Sequence, residues 1–536
     1  MSSENSSLNI KRIIFWFFIV LISLVVRLLY ISDPIIEIHG FRQTQTAISV
    51  FYMLKEGLSL ENIINYLTPV LGEPWKVPME FPIYQVSVCI IHNLINLFIS
   101  TSLDISLRLT SILYFYLALP ILFQIIKKMV PIGICYCFVF LYLLSPFSII
   151  WSRSAMIETC SVFYSSIYLY SLIQFFDTNK NKYVLFSFIF GTIAFLCKST
   201  TVLPFIFFAF LYFLSKHGKN CFNYKCLINK KFYYREILCF LLPILIGYIW
   251  VIYSDSIKDV SLAHFLTSKS LANWNFGTLD QRLNIDNAIT IFERIFDQFP
   301  SLVFIVSLFI YLLILINKKC KGVSFTCFIY CVVTCLITVY TFFNLYYVHD
   351  YYLYAIFVFE CLLFSITLYS VYIFFTKNQI IKKICFLSVV VLTLILSLNQ
   401  YNRYLDVYVN RNFYGYLIKS FPLRISKSIK ENCSVDKAVI IFDQDWSSII
   451  PYYSERKSLM VTSKIYNDDF DKLISTFDIS KDKYKLLLVS EDSLNDNIYK
   501  DFFDFLKKEN SLKLIHVEPN EWQNRNYYLF SISRKL

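Results

Sequence analysis

The sequence predicts a polytopic α-helical membrane protein of about eleven transmembrane helices, followed by a C-terminal extracytoplasmic α/β domain. Three observations predict it. The first is composition. Of 536 residues, 57% are hydrophobic and 16% charged, with a mean hydropathy of +0.54, where soluble domains run near about 25% charged. The second is a series of bilayer-length apolar runs through the first 400 residues. The third is a change of character after residue 400, where 21 basic and 19 acidic residues crowd into the last quarter of the chain. Ten glycines, 14 prolines and the hydrophobic load exclude collagen-like and disordered classes.

In chain order, runs long enough to cross a bilayer fall near 13–32, 107–126, 131–150, 157–175, 183–199, 200–215, 236–254, 299–317, 323–342, 353–375 and 384–400. The first lacks a small-residue cleavage site and carries Arg27 near its far end, so it reads as a retained helix. The run 84–100 is apolar, yet Gln85, His92, Asn96 and Ser100 form one polar stripe at helical spacing. It reads as an amphipathic helix lying flat in the outer interface. Charge supports that choice. With no crossing there, Lys127, Lys128, Lys180, Lys182, the basic stretch from Lys216 to Arg235, Lys318, Lys319, Lys321, Lys377, Lys382 and Lys383 all share the side of Lys11 and Arg12. That satisfies the positive-inside rule.

Residues 1–400 are therefore read as the transmembrane domain, with a first outer loop at 33–106, and 401–536 as the extracytoplasmic domain. In the latter, strands are expected at 438–443, 485–490, 511–517 and 527–533, with amphipathic helices such as 498–510 between them. No Gly-rich phosphate loop joins a strand to a helix, so a nucleotide site is not expected. The net charge of +12 lies mostly in the membrane part, which fits cytoplasmic loops and not a nucleic-acid surface. Most of the 15 cysteines sit inside apolar runs as small hydrophobes, and none is spaced as a zinc site.

Five polar clusters fall on the outer side under this topology. The densest is EIHGFRQTQTA (37–47), with Glu37, His39, Arg42 and Gln43. It reads either as a solvated loop or as a site holding a carboxylate base, an anion-binding arginine and orienting amides beside a lipid phosphate. The second, TPVLGEPWKVPMEFPIYQ (68–85), reads as a proline-stiffened turn, or as Glu80 and Tyr84 lining the same pocket as Glu37. In WSRSAMIE (151–158), Arg153 and Glu158 read as an ion pair holding two helix ends, or as functional groups, since an intramembrane carboxylate is a candidate by default. Lys198 in CKSTT (197–201) reads as a snorkelling lysine or a site cation. In LYYVHDYY (345–352) an aromatic interface belt explains Tyr351 and its neighbours but leaves His349 and Asp350 unaccounted for.

With these runs in view, the chain resembles the membrane glycosyltransferases of GT-C architecture. The nearest branch includes the protein O-mannosyltransferases and the lipid A aminoarabinose transferase. The resemblance is carried by the acid just beyond the first helix, the acidic-x-Pro-x-Tyr run at Glu80–Tyr84 and the Ser-Arg-x-x-Met-x-Glu junction at Ser152–Glu158. HGFRQTQTA, PMEFPIYQ and DWSSIIPYYSERK (445–457) are similar to bacterial members described as dolichyl-phosphate-mannose-protein mannosyltransferase-like. The resemblance implies a polyprenyl-phosphate-linked sugar donor and inverting transfer of a hexosyl or pentosyl unit. It also implies an acceptor on the extracytoplasmic side (glycan, lipid or protein), in a membrane that the resemblance suggests is the bacterial plasma membrane. The family's first-loop acid would fall on Glu37, as catalytic residue. The family's mannosyltransferases carry an Asp-Glu pair where this chain has Ile36–Glu37, so one acid remains and Asp33 is the neighbouring alternative. The second acid would match Glu158.

The expected chemistry needs no cofactor and no metal, because the energy sits in the glycosyl-phosphate bond. The expected partners are the lipid-linked donor, the acceptor and membrane lipids, with no nucleic acid. Arg42, Arg153, Lys198 and His349 are the cations available for the donor phosphate. Two other classes remain. One is a multi-pass lipid or glycan transporter or flippase, which would want internal repeats and broken Gly/Pro helices. The other is a non-catalytic assembly protein.

Overall fold

The computed structural model describes residues 2–221, 234–316, 323–374, scattered positions from 388 to 402, and 420–534 apart from 496–498 and 522. Its contacts form two compact units. One comprises Met1–Ile31, Ser111–Gly247 and Ala272–Tyr404, and the other Ser32–Thr110, Tyr248–Leu271 and Leu405–Leu536. Composition draws a single boundary near residue 400, whereas the contacts group the first loop and Tyr248–Leu271 with the C-terminal segment.

Among the described residues, Leu103–Lys127, Asn181–Lys216, Tyr234–Asp259 and Ser324–Thr341 are long and apolar enough to cross a membrane. Ile285–Asp297 and Ser301–Ile316 qualify together but bend by 100° at their junction. Ile14–Leu28, Ile83–Asn96, Ile132–Leu144 and Phe357–Ile373 are shorter apolar helices. Several runs read as full spans are thus short or broken helices, and the run at 384–400 lies largely outside the described residues.

Two of the breaks fall at chemically informative places. The run 131–150 splits into Ile132–Leu144 and Pro146–Trp151, with Ser145 extended (φ −58°, ψ 132°). A residue before proline is pushed out of the helical region, and proline itself has no N–H to continue the ladder. The runs 183–199 and 200–215 form a single stretch, Asn181–Cys221, broken at Lys198 by extended backbone (φ −167°, ψ 103°).

The second unit is built on a mixed sheet of five strands: β1 (Ala438–Phe442), β2 (Lys457–Val461), β3 (Tyr484–Ser490), β4 (Asn510–Asn520) and β5 (Arg525–Arg534). The order is β2-β1-β3-β5-β4. β1 pairs parallel with β2 and β3, and β5 pairs antiparallel with β3 and β4. The expected strands are β1, β3, β4 and β5. β1 and nearly all of β3 are buried, as expected of unbroken apolar runs in the parallel part of a sheet. The expected helix at 498–510 is Lys500–Glu509.

The first loop covers the free edge of β2. Ser458 N and Met460 N donate to the carbonyls of Pro69 and Val70 (both 2.9 Å), and Gly72 N donates to Ser458 O (3.1 Å). Leu71 makes an antiparallel bridge to Leu459. An exposed strand edge is a pairing hazard, and here the loop's own backbone closes it. Gly72 turns the chain away with φ +73°, and a Cβ there would stand 2.7 Å from Thr476 Cγ2. Beyond the turn, Trp250 Nε1 donates to Met79 O (3.0 Å) and Ser254 Oγ to Pro78 O (2.6 Å). The proline-rich run is therefore a docked strap. Gly72→Ala should destabilise the docked loop by about 1–3 kcal/mol. Thermal unfolding should show it, with faster tryptic cleavage at Lys76.

Candidate functional site

The residues singled out in sequence divide between the two units, and each cluster has its own geometry. In the second unit, the run 37–47 opens a helix, Gly40–Glu56, with His39 at its N-cap in the left-handed region (φ 53°). The polar residues of this run turn inward. Gln43 and Thr44 are fully buried and Gln45 is 5% exposed. The solvated-loop reading is thus replaced by a buried polar stripe, in which Gln43 Nε2 donates to Ile38 O (3.0 Å) and Thr44 Oγ1 to Gly40 O (2.7 Å). Arg42 ties the two first-loop runs together, donating to Glu80 Oε1 (2.9 Å) and Gln45 Oε1 (2.6 Å). Tyr66 braces Glu80, donating to its carbonyl (3.0 Å) and accepting from Met79 N (2.8 Å). Tyr84 is fully buried and donates to Leu107 O (2.8 Å).

Glu37 is held by a residue the sequence reading passed over. Nη2 of Arg108 lies 2.6 and 2.7 Å from its two carboxylate oxygens. The same guanidinium donates to the carbonyls of Asp33 and, at 3.2 Å, Pro34. The Arg108 side chain is 1% exposed and that of Glu37 13%. One turn earlier on the same helix (Leu103–Lys127), Asp104 accepts from Tyr452 (2.6 Å) and Tyr453 (3.0 Å). The Tyr453 hydroxyl in turn accepts from Ile35 N (2.7 Å). Burial, and then the Asp104 carboxylate, push both phenols well above their usual pKa, so both are proton donors. Residues 33–37 are thus clamped at Asp33 and Glu37 by Arg108 and at Ile35 by Tyr453. The tyrosines belong to the DWSSIIPYYSERK run, which acts here as scaffold for the first loop.

In the first unit, Glu158 opens the helix Glu158–Thr178 and makes a close ion pair with Lys198, both side chains being about 95% buried. Lys198 therefore does not snorkel, and the pair read between Arg153 and Glu158 gives way to Glu158–Lys198. Arg153 instead donates to Tyr30 O (3.0 Å). The helix break at Lys198 exposes its carbonyl, which accepts from Ser161 Oγ at 3.5 Å. The Lys198 ammonium lies 5.4 Å from the Tyr351 ring centroid and 4.8 Å from that of Tyr352. His349 stacks on Tyr351 with centroids 5.3 Å apart, and Trp151 packs on Tyr351 at 5.9 Å. Glu158, Lys198, Tyr351 and His349 thus form one contiguous cluster. Glu158 Oε2 has no hydrogen-bond partner among the described residues.

Arg27, read in sequence only as a marker of the first helix's end, anchors that cluster. Its guanidinium donates to Ser152 Oγ (2.6 Å), Ser23 O (3.0 Å), Ser23 Oγ (2.6 Å), Leu143 O (2.9 Å) and Ser148 Oγ (3.0 Å). It lies 4.1 Å above the Phe115 ring. The arginine binds the helix Ser2–Leu28 to the broken segment leading to Arg153 and Glu158. Glu360, 3% exposed in the helix Phe357–Phe374, is a further buried acid the sequence reading did not single out. For Arg27, Arg108 and Glu360 the available signal was the same: a lone charge inside an apolar run. Among the described residues no three His, Cys, Asp or Glu side chains gather as a metal site.

The fold is that of the GT-C membrane glycosyltransferases. A family profile described as dolichyl-phosphate-mannose-protein mannosyltransferase matches residues 89–250. The structure is similar to ArnT from Cupriavidus metallidurans bound to undecaprenyl phosphate, with a TM-score of 0.55 at 12% identity, covering 96% of this chain and 98% of that one. Apo ArnT from the same organism gives 0.51 at 11% identity, covering 96% and 97%. The oligosaccharyltransferase of Archaeoglobus fulgidus tethered to an acceptor peptide gives 0.50 at 9% identity, covering 97% of this chain and 74% of that one. No curated protein matches the sequence significantly.

Removing one partner of a buried ion pair leaves the other charge uncompensated. Arg108→Met should therefore cost about 3–5 kcal/mol, and Glu37→Leu with Arg108→Met less than the sum of the single changes. Thermal unfolding of the four proteins in detergent checks the coupling. Arg27→Met strands several buried acceptors and should cost about 2 kcal/mol or more by the same measurement.

Proposed function

We propose that the chain is an integral-membrane inverting glycosyltransferase. It moves a hexosyl or pentosyl unit from a polyprenyl-phosphate-linked donor to an extracytoplasmic acceptor: glycan, lipid or protein. The observation that carries this reading is the Glu37 carboxylate, fixed at the start of the first loop by a buried arginine, in a chain of this fold. The profile match to mannosyltransferases and the undecaprenyl phosphate bound by ArnT support the donor class. In this reading residues 1–400 cross a bacterial plasma membrane about eleven times, and 401–536 lie outside it.

The reaction is one displacement. The acceptor oxygen attacks the anomeric carbon from the face opposite the phosphate. The new C–O bond forms as the C–O bond to phosphate breaks, which inverts the centre. Glu37 takes the acceptor's proton, with Asp33 the neighbouring acid. Arg108 does not take part in the transfer; it keeps the carboxylate in one orientation. The departing polyprenyl phosphate gains negative charge and calls for cations; the candidates that the first unit offers for that role are Lys198, held by Glu158, together with Arg153 and His349. Arg42, Gln43, His39, Glu80 and Tyr84 are the first-loop candidates for contacts to substrate or for support of the groups that make them. No step calls for a metal or a cofactor.

The test is transfer from a radiolabelled polyprenyl-phosphate sugar by the full chain in nanodiscs. Glu37→Gln should lower kcat by about 10²–10⁴-fold while donor binding persists. Lys198→Met should raise the donor KM by about tenfold or more, the worth of one charge-assisted hydrogen bond. Full activity in a folded Glu37→Gln protein would overturn the assignment of the base.

A further inference from the structure

The second unit holds a cavity of about 630 Å³ that the reaction described above does not use. The Gly40–Glu56 helix supplies Phe51, Leu54 and Lys55, the run after Ile83–Asn96 supplies Thr101 and Ser102, and the Tyr452–Glu455 segment closes one side. Its charges balance. Lys430 is paired with Glu455 at 2.5 Å, Asp104 is met by the Tyr452 and Tyr453 hydroxyls, and Lys55 is the remaining cation against Asp104. A wall without net charge offers nothing to a phosphate or a polyanion. The hydroxyls of Thr101 and Ser102, each able to donate and to accept, line the cavity beside the Phe51 ring. That combination suits an uncharged polyhydroxyl ring, whose polar edges need both kinds of partner and whose C–H face packs on apolar groups.

The place of the cavity says what carries that ring. Thr101 lies two residues beyond Leu97, Phe98 and Ile99, three consecutive apolar residues 74%, 86% and 70% exposed, with Leu94 (54%) on the preceding turn. Such a wedge at the end of an amphipathic helix belongs in the headgroup and acyl boundary of a bilayer. A molecule whose sugar enters between Thr101 and Glu455 can keep its hydrocarbon beside the wedge. The floor of the cavity is also the clamp on the first loop, since Asp104 and Tyr453 hold Ile35, and Arg108, one turn on, holds Glu37.

We propose that this cavity binds the uncharged sugar of a membrane-anchored glycolipid, and that this glycolipid is the acceptor. The inference rests on the glycosyltransferase reading and names its acceptor class. Two variants fill the cavity without touching the clamp: Thr101→Trp and Leu54→Trp. Two readouts are taken on the full chain in nanodiscs. The first is native mass spectrometry with the neutral-glycolipid fraction of the source cells, which needs no activity. The second is transfer of labelled sugar to that fraction or to delipidated envelope protein. The expected result is glycolipid adducts on the wild type that both variants lose, label entering the lipid fraction, and an acceptor KM at least tenfold higher in the variants with donor binding unchanged. Adducts and KM indifferent to both substitutions overturn the site. Label entering only protein, or lost adducts with no transfer by the wild type to either fraction, overturns the acceptor role. The second of these outcomes also marks failure of the glycosyltransferase reading itself.

Discussion

A charge buried away from water must be partnered, and the structure is organised around that requirement. Arg108 is the clearest case. A guanidinium 1% exposed to solvent has to find acceptors inside the protein, and the ones it takes are the Glu37 carboxylate and the carbonyls of Asp33 and Pro34. A loop just beyond a helix would ordinarily be free to move. Here the hydrogen bonds that satisfy one arginine also set the path of five residues. The Tyr453 hydroxyl adds a second point of attachment, because a buried phenol between Ile35 N and Asp104 is satisfied only in one geometry.

The same requirement shapes the first unit, where the partners are found by breaking helices. Among the described residues, serine hydroxyls and main-chain carbonyls, and not a carboxylate, accept the hydrogen bonds of Arg27. Leu143 O is available because the helix stops at Ser145 ahead of Pro146, so its carbonyl is one of the unpaired groups at a helix end. Lys198 shows the complementary device. Extended backbone at that residue interrupts a long helix, and the ammonium is then met by Glu158 and by two tyrosine rings. In both places a run that reads as one apolar span, or as two, is cut where a cation has to be served.

This explains how much could be read from residues alone. The fold class, the C-terminal α/β segment and four of its five strands follow from hydropathy and alternation, which are local signals. β2 escaped because it opens on Lys457–Ser458 after a charged run and is completed by backbone from residues 69–72, nearly four hundred positions away. The candidate acids and cations were legible as polar clusters, but their pairing was not. Glu158 has Arg153 five residues away in sequence, yet pairs with Lys198, forty away. Asp104 and Arg108 flank the start of the run at 107–126 and carry no spacing signal of their own. Their role depends on Tyr452 and Tyr453, which no spacing rule could bring to them.

The distribution of charge also separates the two kinds of chemistry proposed. For the proposed leaving phosphate the first unit offers Lys198, its ammonium paired with Glu158 and set against two tyrosine rings. The cavity beside Thr101 also answers each acid, by a lysine or a pair of phenols, but differs in the neutral hydroxyls that line it. A neutral sugar gains from such a wall because every hydroxyl meets a dipole or a fixed partner and no charge is left to desolvate. A phosphate would meet Asp104 and Glu455 as well as the lysines, and its desolvation would go uncompensated. The contrast follows from side chains that the sequence contains openly, sorted into different company by the fold.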